Sequence, residues 1–242
     1  MRDYKLEFKK RVAFIKKLVE DSHVNGIVFG NSGGKDSALV GILCKAACDN
    51  TVGIIMPCSS ARNFGSDAED GRKLAEQYGI ETRLIDLTPV REAELDALNG
   101  ITEMTDHSAA NIAPRLRMTT LYSVAGSENR LVAGTGNRSE AFVGYFTKWG
   151  DGAYDFNPIS DLTVTEIYEF LRYLNAPASI IEKAPSAGLY EGQTDEQEMG
   201  VSYADIDAVI LGKEVSSPGA EAEVLRRHNS SLHKLNPAKT FA

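Results

Sequence analysis

The chain has 242 residues, of which 43% are apolar and 25% charged, and its formal net charge at pH 7 is −8. The length allows one α/β domain with a large core, and the composition is that of an ordinary globular protein. The negative charge argues against general binding to nucleic acid, although it leaves room for a local basic pocket that binds a small anion. Because the sequence contains neither a run of about 20 apolar residues nor an apolar leader, we expect a cytoplasmic protein without a membrane span.

Hydrophobic periodicity predicts strands that alternate with helices in chain order. The strands are expected at residues 26–29, 51–56, 82–86 and 130–133. The helices are expected at residues 3–21, after the loop 30–36, at 66–78, 88–99, about 109–125, 163–175, from 177, at 203–211 and at 220–228. Strands and helices at this spacing predict βαβ units and a doubly wound, mostly parallel sheet with helices on both faces, which is a Rossmann-like α/β fold.

The remaining segments are predicted to be loops. Residues 101–108 are polar and irregular, residues 145–161 and 183–200 are rich in turn residues, and the tail 229–242 is polar. Loops of this length within a compact domain are usually functional.

A glycine-rich loop follows the first strand and opens into a helix. Its string Ser32-Gly33-Gly34-Lys35-Asp36-Ser37 joins small residues, which let backbone N–H groups approach a phosphate, to the positive end of a helix. Two hydroxyls and a carboxylate beside the glycines suit phosphate binding and Mg²⁺ ligation by oxygen. The spacing is not that of Walker A. A second glycine-rich strand end, residues 134–140, again carries hydroxyls and a carboxylate.

The first loop resembles the pyrophosphate-binding loop of the N-type ATP pyrophosphatases, which split ATP into AMP and pyrophosphate. The strings GTGNRSE, YFTKWGDGAYDFNPISDL and APSAGLYEGQTDEQEMGVSY and a late His-Lys pair extend the resemblance to the ammonia-dependent NAD⁺ synthetases, from about residue 25 to the C-terminus. This resemblance implies a single catalytic domain over residues 1–242 with an adenine nucleotide alpha hydrolase-like fold.

The resemblance also implies the reaction. The nicotinate carboxylate of deamido-NAD attacks the α-phosphorus of ATP, pyrophosphate leaves with Mg²⁺, and ammonia converts the adenylate into NAD⁺ and AMP. It implies a homodimer as well. The chain is too short for an added nitrilase-like glutaminase domain, so free ammonia is the expected donor, with a separate glutaminase partner left open.

Residue roles follow from the resemblance position by position. Asp36 and Glu140 match Mg²⁺ carboxylates and, with Lys148, form the expected catalytic set. The positions that match ATP contacts are Gly30, Asn31, Ser32, Gly33, Gly34, Lys35, Asp36, Ser37, Thr135, Val164 and Ser186. The positions that match contacts to deamido-NAD are Arg115, Lys148, Asp155, His233 and Lys234, with Asn111 and Trp149 as weaker candidates.

The sequence departs from the family pattern at two positions. Val164 stands where relatives usually carry a lysine that contacts ATP phosphate, so the charge must come from elsewhere, with Lys183 and Lys35 as candidates, or ATP affinity or rate is lower. Leu235 follows the His-Lys pair where an arginine is common. Two other functions stay open: a different N-type ATP pyrophosphatase, such as a tRNA-modifying or GMP synthetase-like enzyme, and a non-catalytic nucleotide-binding subunit.

Overall fold

A parallel β-sheet forms the centre of the protein. The computed structural model describes residues 2–60, 63–183 and 194–241. Within them the sheet contains β1 (Gly26–Gly30), β2 (Thr51–Ile55), β3 (Glu81–Leu84) and β4 (Arg130–Ala133), in the order β3-β2-β1-β4. Every neighbouring pair runs parallel, so the carboxyl ends of all these strands meet at one edge. The predicted parallel α/β fold is therefore confirmed.

Helices connect the strands and pack against the sheet. Their bounds are α1 (Tyr4–Ser22), α2 (Lys35–Ala47), α3 (Ala68–Tyr78), α4 (Thr88–Leu98), α5 (Asp106–Ala110), α6 (Ile112–Glu128), α7 (Arg138–Val143), α8 (Val164–Tyr173), α9 (Ala178–Ile181), α10 (Asp195–Met199), α11 (Tyr203–Ile210) and α12 (Ala220–Leu235). Among the residues that the structure describes, no helix combines the length and the apolar character that crossing a bilayer requires.

The two faces of the sheet are covered by different helices. Ile27 and Phe29 of β1 pack with residues of α1, α2, α3 and α8 in one apolar cluster, whereas Val28 packs with residues of α6 in another. Successive side chains of a strand point to opposite faces, so the buried side chains of β1 pack against helices on both faces of the sheet. A third cluster joins α7, α8, α11 and α12.

Several segments differ from the sequence prediction. The segment 101–108 is not wholly irregular, because Thr105 accepts a hydrogen bond from the N–H of Ser108 and so starts α5. The predicted loop 183–200 contains α10. The last helix does not end at residue 228: α12 continues to Leu235, because its later turns pack against α7, with Ser231 buried beside Gly144.

The strand order creates a crevice at one point of the sheet. The chain moves outwards from β1 to β2 and β3, and β4 then pairs with the opposite side of β1. Ligands of open parallel sheets bind where the strand order reverses in this way. That point lies between the carboxyl ends of β1 and β4, where both glycine-rich loops begin.

An arginine ties α1 to the segment before α8. Arg11 is 9% exposed, and its Nη1 and Nη2 donate to Oδ1 and Oδ2 of Asp161 at 2.7 and 2.8 Å. We expect Arg11→Met to lower the free energy of unfolding by about 2 kcal/mol, because it removes charge-assisted hydrogen bonds. Urea denaturation measures the change, and Lys9→Met, an exposed position of α1, is the control.

The same pair predicts a pH dependence. Burial alone would raise the pKa of Asp161, but the hydrogen bond and charge of Arg11 hold it below its usual value. A carboxyl whose pKa is lowered by folding stabilises the protein above its unfolded pKa and loses this contribution as the pH falls. The stability difference between the native protein and Arg11→Met should therefore shrink below about pH 4. A constant difference down to pH 2 would contradict the assignment.

Candidate active site

The first glycine-rich loop joins β1 to α2. The hydroxyl oxygens of Ser32 and Ser37 lie 3.0 Å apart, and Ser32 Oγ accepts a hydrogen bond from the N–H of Gly34. Gly34 is the N-cap of α2, and this cap makes no side-chain hydrogen bond within the described part of the chain. The amide end of α2 therefore points into the crevice with glycine and serine around it, as an anion site requires.

The second loop joins β4 to α7 and ends in a capping box. Asn137, which is fully buried, accepts a hydrogen bond from the N–H of Glu140 at 2.9 Å and donates its own N–H to Glu140 Oε2 at 3.2 Å. Its side-chain amide also donates to Oδ1 of Asp36 at 3.0 Å. Asn137 thus connects the two acidic side chains that come from different loops.

Asp36 and Glu140 form an acidic pair with one lysine between them. Lys35 Nζ lies 2.8 Å from Asp36 Oδ2 and 3.9 Å from Glu140 Oε1. Burial raises the pKa of Glu140 well above its usual value, and the negative charge of Asp36 raises it further. Burial alone would lower the pKa of Lys35, but the charges of Asp36 and Glu140 raise it instead. The ammonium therefore stays charged, and it lies closer to Asp36 than to Glu140.

Both loops open into one cavity of about 990 Å³. Its size lies at the upper end of the range for small-molecule sites. Of the described residues matched to ATP contacts, all except Gly33 and Val164 line it: Gly30, Asn31, Ser32, Gly34, Lys35, Asp36, Ser37 and Thr135, with Glu140 beside them.

Comparison with known proteins identifies the family of this chain. Residues 7–238 match the family described as NAD synthase. The chain is 46% identical over 229 residues to the NH(3)-dependent NAD(+) synthetase of Carboxydothermus hydrogenoformans, and the match covers 93% of each chain. This chain belongs to the NAD synthase family. The predicted resemblance is confirmed, and so is the enzyme class, since proteins of this name are ligases that form a C–N bond.

Two solved structures resemble nearly the whole chain. The structure of NMN synthetase from Francisella tularensis has a TM-score of 0.93 and 38% identity, and the match covers 99% of both chains. The NH3-dependent NAD synthetase from Campylobacter jejuni has a TM-score of 0.83 and 30% identity, over 100% of both chains. The family likeness thus extends over both loops and the C-terminal helices.

Asp36 and Glu140 can hold a magnesium ion only if a substrate supplies further ligands. No group of three or more His, Cys, Asp or Glu side chains among the described residues could hold a metal by itself. Asp36 and Glu140 supply two carboxylates whose mutual repulsion a divalent cation would relieve. Mg²⁺ is commonly bound by one or two carboxylates together with substrate phosphates. The first glycine-rich loop, residues 30–36, adjoins the pair and is called the phosphate loop below. The residues present therefore fit Mg²⁺ bound together with nucleotide.

Most residues expected to contact deamido-NAD form a second group, outside the cavity of the single chain. Arg115 Nη2 donates to the backbone oxygen of Lys148 at 3.5 Å, and Lys148 Nζ donates to the backbone oxygen of His233 at 2.8 Å. Lys234 Nζ donates to the carbonyls of Gly144 and Phe146, and of these four residues it alone lines the cavity. The structure therefore brings Arg115, Lys148 and the His-Lys pair together at one rim.

Two further positions expected in the site lie elsewhere. Asp155 accepts hydrogen bonds from the Tyr122 hydroxyl at 3.1 Å and from the N–H of Val132 at 2.8 Å, so in the single chain it supports β4. Val164 does not line the cavity: it is 4% exposed and packs in the apolar cluster of α7, α8, α11 and α12. An apolar side chain favours this burial over the crevice. Ser186 lies outside the described residues.

The two lysines considered as substitutes for the charge missing at position 164 both line the cavity. Lys183 Nζ is paired with Asp67 Oδ1 at 2.7 Å and with Asp70 Oδ2 at 2.8 Å. Lys35 is paired with the acidic pair of the site itself. Both lysines are therefore paired with carboxylates, and Lys35 is the one whose partners are Asp36 and Glu140.

Sequence reasoning missed two residues of the cavity region. Asn137 was not assigned a role, although an Asn followed three positions later by Glu is a capping-box signal. Arg117 lines the cavity and donates from Nε to the carbonyl of Met56 and from Nη2 to Asn63 Oδ1, both at 3.1 Å. No local signal separates Arg117 from the other polar residues of α6.

The position of Asn137 leads to a prediction about metal affinity. We expect Asn137→Ala to weaken Mg²⁺ activation about 10- to 100-fold, because it removes the hydrogen bond that orients Asp36. It should also cost about 1 kcal/mol of stability through the lost cap. The measurement is the Mg²⁺ concentration at half-maximal rate with saturating ATP. Thr163→Ala removes the corresponding cap of α8, away from the acidic pair, and is the matched control. Equal metal dependence in both variants would show that Asn137 acts only as a cap.

Proposed function

We propose that the protein is an ammonia-dependent NAD⁺ synthetase that uses ATP to activate the nicotinate carboxylate of deamido-NAD. The carboxylate attacks the α-phosphorus, the bond to pyrophosphate breaks, and the resulting acyl adenylate reacts with ammonia to give NAD⁺ and AMP. The observation that carries this proposal is the meeting of the phosphate loop and the acidic pair of Asp36 and Glu140 in one cavity.

The roles of the chain's own residues follow from their positions. The amide end of α2, with the hydroxyls of Ser32 and Ser37, would hold the phosphates of ATP, and Thr135 would contact the same nucleotide from the second loop. Mg²⁺ held by Asp36 and Glu140 would offset the negative charge of the departing pyrophosphate. Holding several anions together and neutralising them can provide most of the rate without a covalent enzyme intermediate.

The acceptor would bind at the rim formed by Arg115, Lys148 and Lys234. Two of these cations lie outside the cavity of the single chain, which suits a ligand that extends from the cavity over the rim. We include a homodimer in the proposal, with the acceptor close to the boundary between two copies, and action in the cytoplasm.

The direct test is an incubation with ATP, Mg²⁺ and deamido-NAD, with either ammonium or glutamine as the nitrogen source. We expect NAD⁺, AMP and pyrophosphate in equal amounts with ammonium, and little product with glutamine. Formation of ADP without AMP would contradict the proposal at its first step, since the phosphate bond broken would be the wrong one. AMP formed only with a tRNA or xanthosine monophosphate would support another ATP pyrophosphatase.

A second acceptor has a specific observation in its favour. The Francisella structure, named as an NMN synthetase, matches this chain with a TM-score of 0.93, whereas the Campylobacter NAD synthetase matches with 0.83. The amide product NMN corresponds to the acid nicotinate mononucleotide, and amidation of this acid would use the same adenylation chemistry. Arg115, outside the cavity, would then contribute less.

Competition between the two acceptors decides between these functions. Deamido-NAD and nicotinate mononucleotide are supplied at equal concentration with limiting enzyme, and NAD⁺ and NMN are separated by chromatography. The product ratio gives the ratio of kcat/KM values directly. An excess of NAD⁺ supports deamido-NAD as the acceptor. An excess of NMN shows that nicotinate mononucleotide is the preferred acceptor instead.

A further inference from the structure

Lys35 is a buried ammonium at the centre of the candidate active site. Its side chain is 6% exposed, and its Nζ contacts Asp36 Oδ2 at 2.8 Å. Glu140 Oε1 lies 3.9 Å from the same nitrogen, and the ring centre of Tyr203 lies 5.3 Å from it. Lysine is rarely buried unless it is paired. Here the partners are the two carboxylates that would bind the metal.

In the described part of the chain, no carboxylate other than those of Asp36 and Glu140 lies within 4 Å of the Lys35 ammonium. Tyr203 faces it with its ring, while the Tyr203 hydroxyl donates to Asp195 Oδ2 at 3.0 Å. Asn137 holds the other oxygen of Asp36. The ammonium therefore pairs directly with Asp36, whereas Glu140 lies beyond hydrogen-bonding distance of it.

The backbone position of Lys35 does not favour a cation. Lys35 is the first residue of α2, where the helix dipole opposes positive charge. The carboxylates, and not the helix, hold the ammonium where it is. A flexible four-carbon stem lets the ammonium move without a change in the backbone. Ser32 and Gly34 of the phosphate loop line the same cavity, so bound phosphates would offer it a second set of anionic partners.

We propose that Lys35 is an internal counter-ion that disfavours divalent metal at Asp36 and Glu140 until nucleotide binds, and then transfers its contact to the phosphates. A divalent ion at the pair would lie close to the ammonium in a partly buried site, where like charges repel strongly. ATP reverses the balance, because its phosphates attract the ammonium and supply further oxygen ligands for the metal. The inference rests on the proposed function only for the identity of the nucleotide.

Metal binding without turnover tests this inference. Mn²⁺, which electron paramagnetic resonance detects when free, is titrated into the native protein, Lys35→Gln and Lys45→Gln. Lys45 lies on the same helix, where its Nζ contacts only the carbonyl of Asp49 among the described residues, so its variant is matched in charge. Without nucleotide, we expect Lys35→Gln to bind Mn²⁺ about tenfold or more tightly than the native protein, and Lys45→Gln to match the native protein. Equal affinities of Lys35→Gln and the native protein would overturn the proposal.

A second measurement needs only the native protein, in case Lys35→Gln does not fold. Melting temperatures are compared with Mn²⁺ alone, with α,β-methylene ATP alone and with both together. We expect Mn²⁺ alone to change the melting temperature little, and the two ligands together to raise it by more than the sum of their separate effects. A large shift with Mn²⁺ alone, or simple additivity, would overturn the proposal.

The two proposals can fail separately. If AMP and NAD⁺ form but the Mn²⁺ titrations do not depend on Lys35, the synthetase function stands and the counter-ion role falls. If no AMP forms with any acceptor but Lys35→Gln gains Mn²⁺ affinity, the counter-ion role stands and the synthetase function falls.

Discussion

Asp36→Asn and Glu140→Gln should each reduce AMP formation by about a thousandfold or more, because each removes one of the two charged oxygen ligands proposed for Mg²⁺. Both substitutions keep the size of the side chain. Glu140→Gln also relieves the repulsion that raises the pKa of Glu140, so it should not lower the melting temperature substantially. Asp36→Asn removes the closest partner of the buried Lys35 ammonium and should lower the melting temperature, so its activity is compared at a temperature where the variant is folded. Rates are measured as AMP released with saturating ATP, deamido-NAD and ammonium.

A third carboxylate of the cavity provides the control. Asp106, an exposed residue at the start of α5, lines the cavity but lies outside the acidic pair. Asp106→Asn should retain activity within about threefold, since it changes only an exposed charge. Activity near the native level in Asp36→Asn or Glu140→Gln would remove that residue from the metal site.

Gly33→Ala should produce the second large effect, through the backbone of the phosphate loop. Gly33 has a φ of +70°, and a Cβ at this position would lie 2.0 Å from the backbone oxygen of Asp67. We expect a loss of about 3 kcal/mol in the free energy of unfolding, from left-handed strain and the collision together. The Gly33→Ala protein that does fold should bind ATP weakly, because the loop must move to make room for the added methyl group. Urea denaturation and the KM for ATP measure the two effects.

Gly79→Ala separates strain from collision. Gly79 has a φ of +63° at the end of α3, but its methyl group would meet no atom within 4 Å from described residues elsewhere in the chain. This variant should lose only about 1 kcal/mol and keep its KM for ATP. If both variants lost the same stability and kept the same KM for ATP, the close packing of Gly33 against Asp67 would contribute neither to stability nor to ATP binding.

The elements with strong local signals were predicted well. The strand at residues 130–133 has the predicted limits, and α8 begins directly after Thr163, as predicted. The errors lie where tertiary packing overrides a weak local pattern. The polar sequence of residues 229–235 gave no reason to extend α12, which its packing against α7 stabilises. The predicted helix 109–125 is two helices, since α5 ends at Ala110 and α6 begins at Ile112.

The site shows the same division. Glycines, hydroxyls and carboxylates at two strand ends were enough to indicate phosphate and Mg²⁺, because this chemistry depends on residues close together in the chain. The rim of Arg115 and Lys148, the burial of Val164 and the bond between Asn137 and Asp36 were not visible in any local pattern. Each depends on contacts between segments that are distant in the sequence.

The glycine-rich loop after β1 illustrates what each level decided. The sequence by itself determined a strand, a glycine-rich turn and a helix, because periodicity and small residues act locally. Only the tertiary structure decided that β4 pairs with β1 on the side away from β2, which brings Glu140 to Asp36 and surrounds Lys35 with their charges. Strand order is set by the packing of whole helices against both faces of the sheet, and no short stretch of sequence contains that information.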